Sequence, residues 1–194
     1  MRLKDQIRVC GIDDSPFDFG NRRAKATVIG AVVRVPSYLE GVLRFEISVD
    51  GDDATGAIAE ALDNSRFLEQ IKAVMIDGVS LAGFNIVDIA LLSRGLSLPV
   101  VTVTRDKPDM GSIRVALSKY FEDWERRFAT ISALPLVEMQ TEHNPVFVSY
   151  AGLTEDEARG LVKKTTVRGA IPEPLRMAHI IASGVVKGES KGKA

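Results

Sequence analysis

The stretch AKATVIGAVVRVPSYLEGVLRFEISV, residues 24–49, decides the fold. Two long runs rich in β-branched and apolar residues, 24–35 and 39–49, meet across a Pro36-Ser37-Tyr38 connection and read as an antiparallel hairpin. Upstream, residues 6–13 form a further strand. Downstream, DGDDATGAIAEALDNSRF changes to helical spacing, with Ile58, Ala61, Leu62 and Phe67 apolar and an acid-rich first turn suited to the helix dipole.

Further out, IKAVMID (71–77) reads as a buried strand, followed by a glycine-containing loop and an amphipathic segment near 85–93. LPVVTVTR (98–105) is another strand, and Pro108 precedes a helical stretch to roughly residue 130. Short strands follow at 135–139 and 145–150. Thr154 caps TEDEARGLVKKT with Glu157 in the capping-box position, and Pro172 and Pro174 open a last helix. A hairpin start followed by βαβ units gives a mixed α/β sheet flanked by helices, and the ribonuclease H-like architecture is the first expectation.

The chain of 194 residues is long enough for one domain, expected over 1–186 with a frayed polar tail at 187–194. It has 45% hydrophobic and 26% charged residues, the composition of an ordinary globular protein. Lys and Arg number 25 against 26 Asp and Glu, so the net charge of −1 draws in no polyanion over distance. Nucleic-acid binding would need a local basic patch. The clusters Arg22, Arg23 and Lys25, Arg126 and Arg127, and Lys163, Lys164 and Arg168 each read, taken alone, as solvated surface.

The single cysteine, Cys10, lies in the first strand, which excludes an internal disulfide and fits a reducing compartment. The start MRLKDQIRV has no apolar signal core, and no stretch approaches about 18 uncharged apolar residues. A cytoplasmic protein with no membrane partner is expected.

The chemistry is carried by acids. Alternation along the first strand sends Val9, Gly11 and Asp13 to one face and Cys10, Ile12 and Asp14 to the other, so only one of the adjacent acids looks into a given site. The strand 71–77 ends in Asp77-Gly78. If it pairs in parallel with the first, Asp13 and Asp77 are neighbours at strand ends, where ligands of α/β sheets collect. Converging carboxylates call for a divalent cation or a raised pKa, and oxygen-only donors favour Mg²⁺ or Mn²⁺. The same residues also suit a plain turn before Pro16 and an Asp-Gly β-turn, and spacing leaves both readings open.

GIDDS, YLEGVLRFE, MIDGVSLAGFNIVDIALLSRGLSLPVVTVTR, VSYAGLTEDEA and IPEPLRMAH, in this order over residues 8 to about 182, resemble the endonuclease V family. They are most similar to its largely archaeal relative, domain of unknown function 99. The resemblance implies a ribonuclease H-like fold and metal-dependent phosphodiester cleavage near deaminated bases. It makes Asp13 and Asp77 the catalytic and metal-binding aspartates, Mg²⁺ or Mn²⁺ the cofactor, and DNA or RNA the partner. By the same likeness Tyr38 and Gly41 belong to a strand-separating wedge, Arg105 takes the place of a lysine after the strand that follows the Asp-Gly segment and its helix, and Arg176 falls in the Pro-Glu-Pro-x-Arg run.

The likeness has gaps. Ile47 stands where the family has its catalytic glutamate, and Glu46, one place away, reaches the same face only through a bulge. Asp50, Asp52 and Asp53, at the following helix start, are alternative third ligands. Asp-Gly-His-Gly reads Asp77-Gly78-Val79-Ser80, and the histidine of the family near Ala151 is absent. His143 reads as a turn residue and His179 as a packing residue of the last helix. Arg176 suits either a phosphate or an ion pair with Glu173. A nuclease and a nucleic-acid binder keeping a vestigial metal site both remain open.

Overall fold

The computed structural model describes residues 6–18, 20, 21 and 24–190. Arg22 and Arg23 of the first basic cluster, and the last four residues of the tail, lie outside these.

The hairpin forms as expected. Strand β1 (Arg8–Asp14) pairs antiparallel with β2 (Lys25–Arg34), which pairs antiparallel with β3 (Tyr38–Ser48). Helix α1 (Ala54–Asp63) leads to β4 (Ile71–Asp77), which lies parallel to β1 on its other side. A small ladder, β5 (Ser80–Leu81) and β6 (Asn85–Ile86), precedes α2 (Ile89–Leu96) and β7 (Val100–Thr104), again parallel. Helices α3 (Met110–Tyr120) and α4 (Trp124–Ser132) lead to an antiparallel edge of β8 (Val137–Met139) and β9 (Val146–Ala151). Helices α5 (Glu155–Thr165) and α6 (Glu173–Lys187) close the described chain. The result is a seven-stranded mixed sheet, in the order β3-β2-β1-β4-β7-β9-β8, flanked by helices on both faces.

Each face buries its own core, as the alternation of side chains demands. Cys10, Ile12, Val74 and Ile76 point into the layer with Ile58, Leu62, Ile89 and Leu92 of α1 and α2. Val9, Ala73, Met75, Val101 and Val103 point the other way, under Ala158, Leu161 and Leu175 of α5 and α6. Ile29, Ala31 and Val33 of β2 lie beneath Ala178 and Ala182 of α6. Cys10 is fully buried and its thiol is pushed up to about 12 by that burial, which keeps it unreactive.

Two local expectations are corrected. The helical stretch from Pro108 to residue 130 is broken into α3 and α4. Phe121 turns extended (φ −133°, ψ 129°), and its ring packs edge-on against Phe84 at 5.7 Å and beneath the Arg127 guanidinium. The segment near 85–93 is helical only from Ile89. Asn85 is held out of the helix because its buried amide donates to Ser48 O and Asp53 Oδ1 and accepts from Ala54 N.

Candidate metal centre

Register places the two aspartates. Ile12 pairs in parallel with Ile76, so Asp13 and Asp77 are the next residues along adjacent strands and share the face that α6 covers. Asp14 turns to the opposite face, where its Oδ2 accepts from Ala82 N at 2.5 Å and fixes the loop after β5. The adjacent acids thus divide their work as alternation requires.

The third member comes from α6. A methyl on Gly11 would overlap the backbone of Pro174, so the start of α6 rests directly on β1. Two residues along β1 advance about 6.6 Å, and four residues along a helix about 6 Å. From Leu175 that step reaches His179, which therefore stands over Asp13. His179 Nδ1 and Asp13 Oδ2 are 2.8 Å apart. With the proton on Nδ1, the ring donates to the carboxylate and turns Nε2 away from it.

Ligand atoms of Asp13, Asp77 and His179 all lie within 4.8 Å of one another. Burial drives the electrostatics. Asp13 is raised to about 7, chiefly by loss of water and then by the Asp77 charge, while the His179 contact pulls the other way. Burial also raises Asp77, and the Arg105 charge opposes it. His179 is raised by its bond to Asp13. Two crowded carboxylates and an imidazole, costly to charge alone, form a donor set that a divalent cation would satisfy.

The expected third ligands are elsewhere. Asp50 accepts from Phe84 N at 2.9 Å, and Asp52 pairs with Arg126 at 2.8 Å. Asp53 is pushed up by partial burial but held at about 2 by Ser48, Asn85 and Lys25, where it braces the start of α1. None of the three joins the cluster of ligand atoms found among the described residues. His179, read as a packing residue, joins it instead. Its signal was present in the sequence: a glycine two positions before Asp13 on the same face, and a proline-opened helix able to lie against it.

Ile47 is fully buried on the α1 side. Glu46 pairs with Thr27 on the Asp13 side of the sheet, because β3 carries a one-residue bulge at Glu40: Val32 faces Gly41 and Val33 faces Leu39. Glu46 is two strands from Asp13 and binds Arg44 at 2.9 Å.

The remaining sequence candidates divide. Arg105 follows β7 closely enough to lower Asp77, and so belongs to the surroundings of the cluster. Arg176 grips buried Glu173 with three hydrogen bonds of 2.7 to 3.0 Å and keeps its guanidinium about one-third exposed, one turn before His179. Tyr38 is 68% exposed but pairs with Arg34, and Arg34 with Arg8. It therefore stands five residues, about 17 Å, along the strands and two strands across from Asp13. Gly41 is a packing position: a methyl there would strike the Phe67 ring.

The family described as "Endonuclease dU" matches residues 5–186. A UPF0215 protein of Methanothermobacter thermautotrophicus is 43% identical over 193 residues, covering 100% of this chain and 94% of the relative. The UPF0215 protein MK0057 of Methanopyrus kandleri is 40% identical over 194 residues, covering 99% and 98%. A crystal structure of a protein of unknown function from Archaeoglobus fulgidus superposes with a TM-score of 0.81 at 38% identity, over 92% of this chain and 98% of that one. Endonuclease V of Ciona intestinalis, in complex with an inosine-containing DNA, superposes with a TM-score of 0.62 at 16% identity, over 94% and 87%. The latter shows a shared fold.

Proposed function

The chain belongs to the endonuclease dU family, and from that membership and the Asp13–Asp77–His179 cluster we propose that it is a metal-dependent endonuclease acting at deaminated nucleotides in nucleic acid. The family description points to deoxyuridine as the nucleotide. The observation that carries the reading is the cluster itself: three ligand-bearing side chains from β1, β4 and α6 converge at the strand ends of an endonuclease V fold.

Asp13 and Asp77 would hold the cation, with His179 completing the donors. The oxygen-only set expected from the sequence becomes a mixed one, which favours Mn²⁺ while admitting Mg²⁺. When bound, such an ion supplies charge for a phosphoryl group under attack and lowers the pKa of a water. The protein's own part is to bring a phosphate there and to exclude alternatives. Arg105 supplies positive charge beside Asp77, and Arg176 presents a guanidinium on the same helix as His179. Asp14 keeps the loop after β5 in register with the strand that carries Asp13.

The test is cleavage of an oligonucleotide bearing one deoxyuridine, with Mn²⁺ or Mg²⁺. The parent protein cuts it, while Asp13→Ala and Asp77→Ala abolish cutting and still fold. Retained salt-sensitive binding with no cutting by the parent would instead establish a binder and defeat the proposal.

A further inference from the structure

Strand β3 closes one end of the sheet order, so one of its sides has no neighbouring strand. Hydrogen bonding in an antiparallel pair alternates, and Val49 N donates to Ala24 O at 3.0 Å. Ile47, Phe45 and Leu43 therefore bond towards β2, while Ser48, Glu46, Arg44 and Val42 direct their N–H and C=O groups outward. The chain itself caps one end of this edge: Asp53 accepts from Ser48 N at 3.0 Å, and Ser48 O accepts from Asn85 at 2.9 Å. The bulge at Glu40 closes the other end. Between them the backbone groups of Val42, Arg44 and Glu46 have no partner among the described residues. An uncovered edge of this kind is a template for another strand.

The side chains select which strand fits. Arg44 and Glu46 are exposed, stand on one face and differ in sign. Laid antiparallel against a second copy of itself about a dyad at Phe45, the edge sets Arg44 opposite Glu46 of the second copy, and Glu46 opposite its Arg44. Both are hydrogen-bonded pairs, because both residues point their backbone groups outward. The same dyad brings the two half-buried Phe45 rings, on the α1 face, into the closer non-hydrogen-bonded pair. A dyad at Arg44 or at Glu46 would oppose like charges, and one nearer the start of β3 runs into the bulge.

We propose that this edge joins two copies of the chain into a dimer, β3 against β3, with Arg44 and Glu46 as the residues that set register and partner. The dimer rests on the edge and its charges, not on the nuclease reading. Its dyad is perpendicular to the sheet, so equivalent residues of the two copies share a face. Asp13 pairs with Ile29, and Ile29 with Arg44. Both metal centres therefore lie on one face, close to the level of the dyad and five strand spacings apart, about 24 Å. Under the function proposed above, one nucleic acid lying across the dyad meets both.

Sedimentation of the full chain at low salt, over a range of concentrations, is the test. The parent shifts from monomer to dimer as concentration rises, and added salt shifts it back. Arg44→Glu and Glu46→Arg each set like charges opposite at two symmetric places and weaken the dimer about tenfold, while the two changes in one chain restore it. Mild oxidation of Phe45→Cys cross-links the dimer, whereas Val42→Cys, whose copies lie about 20 Å apart, does not. Buried Cys10 takes no part. A chain that stays monomeric throughout, a dimer indifferent to the charge reversals, or cross-linking of Val42→Cys in place of Phe45→Cys overturns the assignment.

Discussion

Asp13 is the residue on which the proposed chemistry turns: its carboxyl is buried and raised to about 7 while His179, bonded to it, is raised as well. A group whose folded pKa exceeds its unfolded value stabilises the fold below the unfolded pKa and loses that contribution as pH rises through the folded one. For Asp13 the window runs from the ordinary value of 3.8 up to about 7, and His179 acts in the same direction. Without divalent ions, thermal stability should therefore fall as pH rises from about 4 to 7, and Mn²⁺ should reverse the slope by replacing the proton. Melting curves across that range, with and without Mn²⁺, check this; parallel slopes would contradict it. Asp13→Asn should remove most of the slope.

At this scale the two aspartates were legible because strand alternation and an Asp-Gly strand end are local signals. His179 left only an indirect signal, Gly11 and a proline-opened helix, since its role depends on a residue 166 positions later in the chain coming to rest over the first strand. Asp52 and Asp53 look like ligands in a list of acids, yet ion pairs and hydrogen bonds with Arg126, Ser48 and Lys25 absorb them.

Among the elements, α6 is the one that makes the site, and its contact with β1 at Gly11 is the point where it can be broken. Gly11→Ala forces the added methyl into the Pro174 backbone. It should cost about 3 kcal/mol in urea unfolding and move His179 away from Asp13. A stability change below about 1 kcal/mol would mean that the helix is not seated as described. At α5, Thr154 and Glu157 form the reciprocal capping box expected from the sequence. Thr154→Ala should cost about 1 kcal/mol and leave metal binding unchanged.

The strands, the hairpin and both late helices were readable from periodicity and caps. The break between α3 and α4 was not, because it is set by Phe121 meeting Phe84 and Arg127 in space rather than by a proline or glycine in the chain. The bulge at Glu40 is likewise a tertiary feature, where the carboxylate gathers Arg8 and Arg34.

For the whole molecule, a net charge of −1 means that any grip on nucleic acid is local. Arg105 stands beside Asp77, and Arg176 pairs with Glu173 one turn before His179, so under the proposed function Arg105→Ala and Arg176→Ala should each weaken oligonucleotide binding and reduce the salt slope by about 1, measured by anisotropy from low to moderate salt. An unchanged slope would place the phosphate path elsewhere. The Tyr38 surface lies about 17 Å along the strands and two strands across from Asp13, at the other end of the sheet. Among the described residues, no helix is long and apolar enough to cross a membrane.

The most direct measurement is anomalous diffraction from crystals soaked in Mn²⁺. The account predicts one strong peak bonded to carboxylate oxygens of both Asp13 and Asp77 and to His179, lost in Asp13→Ala. A peak at Asp50, Asp52 or Asp53 instead, or none at saturating Mn²⁺, would contradict it.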